Sequence, residues 1–385
     1  MAALTNNPTE VLADWLDFIS HKARVIWVEV PDHANAFTIF ETLNDRGLDL
    51  AISDLLKNFL FNLAGDRITE AQAMWTEMIG SLVAVDGEDQ IVNFIRHVWS
   101  SQHGLTREKQ LFGAIKSKIS SKQAAVDFAK KLNKAARLYA AILNPDHDVW
   151  NQYGATTRGH MTTLNTLRMT QMRPMILAIL SKFDRTSSRQ SMAMLVSWAV
   201  RSLISGELGS STLEDLYSQK ASDVSAGKIR DAQGLSDAAK TSLPNDVQFR
   251  EAFRTARVTK DYLARYYLQA LERQLGTKQP LSIANPNPDE VTLEHILSQT
   301  PDFRVWDVAL EQAEAYCNRI GNLVLLTAEE NSRIGNGSFA AKRAVFKNAS
   351  LKLTAEVGAF ETWGPAQIDE RQVRLADLAV KAWPV

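Results

Sequence analysis

The chain has a single cysteine, Cys317, and this scarcity excludes two kinds of stabilisation. No disulfide can form within the chain, and a zinc site built from several cysteines is not available. A sequence of this kind fits a reducing compartment, and we expect a cytoplasmic protein.

Long apolar stretches are also missing. No segment approaches the roughly 18 apolar residues in succession that a membrane-spanning helix needs. The first residues, MAALTNNPTEVLADWLDF, lack a basic segment followed by an apolar one, so they do not have the pattern of a secretory signal. We therefore expect no association with a membrane.

Charge of one sign is not in excess, because 43 lysines and arginines face 44 acidic residues. The charge of the whole chain gives no indication of a polyanionic partner, so nucleic-acid binding would need a local basic surface. Residues 331–355 contain five basic residues and no acidic one, and residues 104–137 contain nine basic and two acidic residues. For the second stretch, a solvated helix face is as good an explanation as contact with DNA.

At 385 residues the chain is long for one hydrophobic core, which favours two or three domains. Residues 65–276 repeat apolar positions at helical spacing in one segment after another, so we predict an α-helical middle domain. Residues 23–30 are rich in β-branched side chains and predict a strand. The predicted helices span residues 71–83, 90–100, 122–143, 175–183 and 261–275.

The pattern changes after residues 277–289, where three prolines and little periodicity indicate a linker. Residues 291–297 and 320–327 are short β-branched or apolar runs that predict two strands. The predicted fold class is therefore α+β and mostly α-helical. A helical middle domain is followed by a smaller domain, residues 277–385, that contains the pair of strands.

An acid and a histidine, Glu294 and His295, stand side by side on the first of these strands. Asn322 lies on the second, and Asn331 follows where a helix or loop would return. Phosphodiester hydrolysis uses such a set, because a neutral imidazole takes a proton from water and Mg²⁺ binds carboxylate and amide oxygens. A lone histidine on a strand is more often structural, and the N-cap of a helix is a competing role for Asn331.

Several short motifs occur in one order through the last hundred residues and are followed by a similar tail. They are EHI at 294–296 with Pro301 after it, IGNLVLL at 320–326, NSR at 331–333, FxxKR at 339–343, IDERxxRLA at 368–376 and WP at 383–384. Together they resemble the C-terminal nuclease domain of the GmrSD family, type IV restriction endonucleases that cut modified phage DNA. The resemblance implies a ββα-metal fold of the His-Me finger (HNH) superfamily, a β-hairpin and a helix that hold one metal ion.

The resemblance also implies a role for each matching residue. His295 would be the general base that activates water, and Asn322 would hold the hairpin and the histidine loop in place by hydrogen bonds. Glu294 and Asn331 would be the protein ligands of a divalent cation, for which we expect Mg²⁺. Contacts with DNA phosphates are expected from three basic residues, Arg333, Lys342 and Arg343.

A second resemblance lies near the start of the chain. FETLNDRGLDL followed by SDLLKN, within residues 40–58, is similar to the end of the family's N-terminal domain, a ParB-like fold that binds and hydrolyses nucleotide. The FQR and DGQQR motifs that precede this stretch in the family do not occur here, nor does a GxxxxGK[ST] loop. Residues 1–64 are therefore interpreted as a remnant of that domain.

Two interpretations of this remnant stay open. The polar residues Asn44, Asp45, Arg46 and Lys57 form either a turn and a capped helix, which we favour, or part of a former nucleotide-binding surface. A separate polypeptide that supplies the NTPase half, a truncated start and a degenerate remnant would each explain the missing motifs.

The sequence thus predicts a metal-dependent endonuclease that hydrolyses DNA, by resemblance modified or foreign phage DNA, in a defence system. One alternative is a catalytically silent remnant that binds DNA or joins a complex. Another is cleavage of RNA, because the His-Me finger does not itself select the sugar.

Overall fold

The computed structural model describes residues 8–24, 52–86, 90–206, 209–276, 291–334 and 337–385. Most of these residues are helical, and the described strands are two short ones that pair with each other. The predicted class, α+β and mostly helical, is confirmed. The described beginning of the first predicted strand, Ala23 and Arg24, is not in a strand, and residues 25–30, 44–46 and 277–289 lie outside the described residues.

The described elements between residues 8 and 225 are all helical. They are α1 (Pro8–Asp17), α2 (Ile52–Ala64), α3 (Ile68–Asp86), α4 (Gln90–His103), α5 (Glu108–Lys118), α6 (Lys122–Leu143), α7 (Ala155–Thr166), α8 (Arg173–Lys182), α9 (Arg185–Ser205) and α10 (Ser210–Ser225). The predicted helices at 71–83, 90–100, 122–143 and 175–183 correspond to α3, α4, α6 and α8, so they are confirmed.

The two strands lie among further helices. In chain order these elements are α11 (Ala232–Ala239), α12 (Asp246–Thr255), α13 (Asp261–Gln274), β1 (Val291–His295), α14 (Leu310–Tyr316), β2 (Leu323–Thr327), α15 (Ala328–Arg333), α16 (Phe339–Lys347), α17 (Lys352–Ala355) and α18 (Pro365–Ala382). The predicted helix at 261–275 is α13. Both strands are shorter than predicted, because the chain leaves the sheet after His295 and Ile320–Asn322 form a 3-10 turn.

Local sequence signals account for several helix ends. The hydroxyl of Ser121 accepts a hydrogen bond from the backbone N–H of Ala124 at the start of α6, and Asp184 caps α9 in the same way at 2.7 Å from Ser187 N. Helix α9 ends at Gly206, whose φ of 62° lies in the left-handed region that glycine adopts readily.

One apolar cluster runs through the helices and reaches the sheet. Trp150 and Trp198 are among its largest buried side chains, and it extends to Val291, Leu323 and Leu325 of the two strands. Full burial of such a side chain stabilises the fold by about 1.5–3 kcal/mol. The helices therefore cover one of the two faces of the small sheet.

The end of the chain returns to helices α12 and α13. After α18, the ring of Trp383 lies within 6.3 Å of the rings of Phe249, Phe253, Tyr266 and Tyr267. Helix α13 also contacts both strands. A domain boundary at residue 277, as the linker predicted, would therefore separate α12 and α13 from the elements on which they pack.

A buried arginine strengthens this connection. Arg201 of α9 is fully buried, and its guanidinium donates to the carbonyl oxygens of Trp383 at 2.6 Å and Pro244 at 3.0 Å. It also pairs with Asp246 at 2.5 Å. A desolvated guanidinium needs such partners, because an unpaired buried charge costs several kcal/mol.

None of the described helices is both long enough and apolar enough to cross a bilayer.

Candidate active site

Strands β1 and β2 run antiparallel, with Glu294 opposite Val324 and His295 opposite Leu323. Successive side chains of a strand point to opposite faces of the sheet, so the neighbouring acid and imidazole lie on different faces. Leu323 belongs to the main apolar cluster, and Val324 belongs to a second, smaller cluster that includes Phe346 of α16. His295 therefore shares the face that covers the helical core, and Glu294 shares the face toward α16.

Glu294 is held in an ion pair by a lysine of α16. Nζ of Lys342 donates to Oε1 of Glu294 at 2.5 Å and to the carbonyl oxygen of His295 at 3.2 Å. The side chain of Lys342 is only 2% exposed, whereas that of Glu294 is 21% exposed. The sequence predicted that Lys342 contacts phosphate, but its ammonium is turned inward and neutralises Glu294.

The sequence contains a signal for this burial that our prediction missed. Phe339, Lys342 and Phe346 follow one another at spacings of three and four residues, so they lie on the same face of α16. Both phenylalanines are buried in the second apolar cluster. A lysine between two core positions indicates a paired internal charge more than a phosphate contact.

His295 is half-buried at the end of β1, and two side chains hydrogen-bond its ring. The amide of Gln299 donates to Nε2 at 3.1 Å, and Asn318 also bonds to the imidazole. Burial lowers the pKa of His295 below its ordinary value and Lys342 adds to this effect, while Asn318 and nearby carboxylates oppose it. The imidazole is therefore neutral near pH 7, the state in which it can accept a proton.

Asn322 uses its whole side-chain amide to hold the segment that follows His295. Its Oδ1 accepts from the backbone N–H of Leu297 at 2.8 Å and from Nε1 of Trp363 at 3.0 Å. Its Nδ2 donates to the carbonyl oxygens of Leu297 and Cys317, both at 2.9 Å. Asn322 is fully buried, so its contribution is to position backbone and not to contact a substrate.

Asn331 lies within α15, directly after the hairpin. The N-cap of this helix is Thr327, whose hydroxyl accepts from the N–H of Glu330 while Glu330 bonds back to the N–H of Thr327. The alternative prediction that Asn331 is the N-cap is therefore wrong. Its side chain is partly exposed, and within the described part of the chain nothing hydrogen-bonds its amide.

Residues 243–378 match the family model of the GmrSD restriction endonucleases, C-terminal domain. The chain carries a GmrSD-type C-terminal domain. The matched segment includes α12, α13 and the hairpin, and it ends within α18. It thus begins before the predicted boundary at residue 277, in agreement with the packing of α12 and α13. No curated protein matches the chain.

Two further basic residues of the GmrSD-type domain were predicted to contact phosphate. Arg333 is exposed and pairs with Glu329 one helical turn earlier in α15. Arg343 of α16 is half-buried, and its Nε donates to the carbonyl oxygen of Gly358 at 3.2 Å. Arg333 is therefore the more accessible of the two. Its exposed ion pair contributes little stability, so the guanidinium can exchange Glu329 for another anion.

A divalent cation in the GmrSD-type domain would depend on few protein ligands. Among the described residues no group of three histidine, cysteine or acidic side chains could hold a metal ion. Mg²⁺ needs only one or two protein oxygens, because water completes its coordination. The carboxylate of Glu294 and the amide of Asn331 fit this requirement by their chemistry, but Lys342 competes with any cation for Glu294.

The basic stretch at residues 104–137 lies outside the matched segment, and three of its nine basic residues pair with acids elsewhere in the chain. Lys122 pairs with Asp66, Lys130 with Glu70, and Arg137 with Asp148. These ion pairs favour the explanation that the stretch is a solvated helix face over the explanation that it contacts DNA.

Proposed function

We propose that the chain is a metal-dependent endonuclease that hydrolyses phosphodiester bonds of DNA in a restriction or defence system. The observation that carries the proposal is the half-buried imidazole of His295 at the end of β1, inside the segment that matches a GmrSD restriction endonuclease domain. Glu294, on the other face of β1, and Asn331 of α15 carry the kind of oxygen atoms that a magnesium ion accepts, so they are the ligands we propose.

In this proposal His295 takes a proton from the water that attacks phosphorus. The new P–O bond forms as the bond to the leaving oxygen breaks, and the leaving oxygen takes a proton from solvent. A cation held by Glu294 and Asn331 would neutralise charge on the scissile phosphate. Asn322 keeps the segment after His295 in place, and Arg333 contacts a neighbouring phosphate of the backbone.

We assign β1, β2 and α15 as the two strands and the helix of a His-Me finger. The order of the elements and the packing of α15 on both strands support this assignment. Modified or foreign phage DNA is the proposed substrate, cytoplasm the proposed location, and a separate polypeptide the proposed source of the NTPase half. The substrate and the separate polypeptide rest on the family resemblance, and the location rests on the single cysteine.

The test is cleavage of plasmid DNA by the full chain in Mg²⁺, Mn²⁺ and EDTA, with unmodified and hydroxymethylated substrates and a matched RNA. We expect nicking with Mg²⁺ or Mn²⁺ only, and a loss of at least about a hundredfold in His295→Ala, since general-base catalysis contributes roughly 10²–10⁴ in rate. The matched control is His21→Ala, because His21 is an exposed histidine outside the domain. Equal cleavage by His295→Ala and the parent chain, with both folded, contradicts the assignment.

A second candidate function is a catalytically silent module, and the position of Lys342 favours it. Its ammonium pairs with the carboxylate of Glu294, which would otherwise be available as a ligand of a metal cation. This candidate predicts no cleavage by the parent chain under any metal and weak Mn²⁺ binding in calorimetry. Lys342→Met would then bind Mn²⁺ more tightly than the parent, whereas a parent chain that binds Mn²⁺ and cuts DNA excludes the silent module.

A further inference from the structure

Two adjoining cavities open between helices of the N-terminal part, outside the GmrSD-type domain. The first, of about 280 Å³, has a polar wall that includes Gln90, Asn93 and Arg96, and we call it the polar cavity. The second, of about 350 Å³, is lined by apolar and polar residues that include Val85, Leu143 and Met169, and we call it the mixed cavity. Thr170 and Arg173 belong to both walls.

The polar cavity has more positive than negative charge. Arg96 pairs with Glu214 at 2.5 Å, which leaves the second arginine, Arg173, without a carboxylate partner among the described residues. Arg173 instead donates to the hydroxyl of Tyr139 at 3.3 Å. His97 contributes no charge, because burial and then the two guanidiniums hold its pKa well below the ordinary value.

An unsatisfied polar atom also lines the polar cavity. Oε1 of Gln90 is buried and has no hydrogen-bond partner among the described residues. Leaving such an atom without a partner costs free energy, because the lost hydrogen bond to water is not replaced. A ligand that carries a hydroxyl or amine donor beside an anionic group would satisfy Gln90 and Arg173 together.

A strained residue borders the mixed cavity. Arg168 has a φ of 56°, in the left-handed region, and it is the non-glycine residue with a positive φ in the described part of the chain. Its guanidinium lies 5.7 Å from the ring centroid of Tyr262. Strained residues of this kind concentrate at binding sites, and an exposed guanidinium can stack on a planar group.

We propose that the two cavities together bind a nucleotide, with its phosphate in the polar cavity beside Arg173 and its base in the mixed cavity beside Arg168. The volumes of the two cavities are in the range of small-ligand sites. A guanidinium such as that of Arg173 recognises phosphate by charge-assisted hydrogen bonds, and the apolar side chains of Val85, Leu143 and Met169 offer contact to a base. The phosphate belongs either to a free nucleotide or to a nucleotide unit of DNA.

Calorimetric titration of the full chain tests the proposal with defined probes: the four 2′-deoxynucleoside 5′-monophosphates, the corresponding nucleosides and inorganic phosphate. We expect at least one monophosphate to bind about tenfold or more tightly than its nucleoside, and added salt to weaken that binding. Arg173→Gln should weaken it by about tenfold or more. The control Arg230→Gln removes an exposed arginine that, among the described residues, bonds to a carbonyl oxygen alone, and it should leave binding unchanged.

Arg168→Gly separates lost binding from lost folding. Glycine adopts a φ of 56° without strain, so the midpoint of thermal unfolding should stay the same or rise while nucleotide binding weakens. Competition by a single-stranded oligonucleotide, lost in the same variants, assigns the phosphate to DNA, and selective binding of the mononucleotide assigns it to a free ligand. Absence of binding by every phosphate probe, or equal affinity in Arg173→Gln and the parent, overturns the proposal.

Discussion

The ammonium of Lys342 governs what the candidate active site can do at the level of single residues. It neutralises Glu294, bonds to the backbone of His295 and contributes to the lowered pKa of that imidazole. The site thus contains an internal cation beside the imidazole of His295. Whether a divalent ion joins or replaces this ammonium determines which of the two candidate functions applies.

The pair of Lys342 and Glu294 makes a specific stability prediction. Lys342→Met should lower the free energy of unfolding by about 1–3 kcal/mol, less than the roughly 3–5 kcal/mol for breaking a fully buried pair, because Glu294 is 21% exposed and can be rehydrated. Glu294→Gln should also destabilise the fold, since it leaves a buried ammonium without its counter-charge. Urea denaturation followed by tryptophan fluorescence measures both values.

The double variant provides the control. With both charges removed, the loss should be smaller than the sum of the two single losses, by a coupling energy of about 0.5–3 kcal/mol. Additive losses in the double-mutant cycle would contradict an ion pair between these two side chains.

At the level of elements, the 3-10 turn Ile320–Asn322 connects the hairpin to the last helix. The N–H of Gly321 donates to Oε1 of Gln372 in α18 at 3.0 Å, and Arg371 of the same helix donates to the carbonyl oxygen of Gly321 at 2.6 Å. Helix α18 therefore positions the turn that carries Asn322, and Asn322 in turn positions the segment after His295.

This close approach predicts that Gly321→Ala destabilises the fold. A Cβ at this position would lie 2.5 Å from the carbonyl oxygen of Ile368 and 3.0 Å from Cβ of Gln372, so the turn and α18 must move apart. We expect a loss of about 1–3 kcal/mol in the free energy of unfolding, measured by urea denaturation. The matched control is Gly113→Ala in α5, where a Cβ meets nothing within 4 Å. This substitution should raise the free energy of unfolding by about 0.5–1 kcal/mol, because alanine favours the helix over glycine. If the two variants changed the free energy of unfolding equally, α18 would not be in close contact with the turn.

The sequence predicts the elements of this fold better than it predicts their partners. Helices α6 and α13 follow directly from apolar periodicity, because a helix that packs on a core repeats its buried face. The spacing of Lys342 between two core phenylalanines indicates its burial, but its partner Glu294 is remote in sequence. The contacts of α12 with α18 are equally long-range. Gln299 and Asn318 have no motif around them, so their bonds to His295 could not be predicted from residue types.

The domain boundary at residue 277 stays a prediction, but the packing across the linker could not be predicted for a related reason. Three prolines and weak periodicity identify a linker in the sequence, but they do not show on which side of it a helix packs. The ring of Trp383 lies beside Phe253 and Tyr267, which belong to helices before the linker. Contacts of this kind join chain ends and can be recognised only in three dimensions.

For the whole molecule, buried histidines and paired acids both make the free energy of unfolding fall as the pH is lowered. Burial lowers the pKa of His97, His103, His160 and His295 below the ordinary histidine value. Hydrogen bonds and ion pairs lower the pKa of Asp66 and Asp184 among the carboxyl groups. In both classes the unfolded chain binds protons at a pH where the folded chain does not.

Stability should therefore fall steadily as the pH is lowered from neutral. The histidine contribution is lost first, as the pH falls through the unfolded value near 6.5, and the carboxylate contribution follows below about pH 4. His97 is 3% exposed, so it alone can contribute a slope of up to about 1.4 kcal/mol per pH unit. Urea denaturation at pH 7.5, 6.5 and 5.5 measures the slope, and His97→Gln, which can still hydrogen-bond to Tyr139, should reduce it. A free energy of unfolding that is constant or rises between pH 7.5 and 5.5 would mean that the buried histidines are protonated in the folded chain.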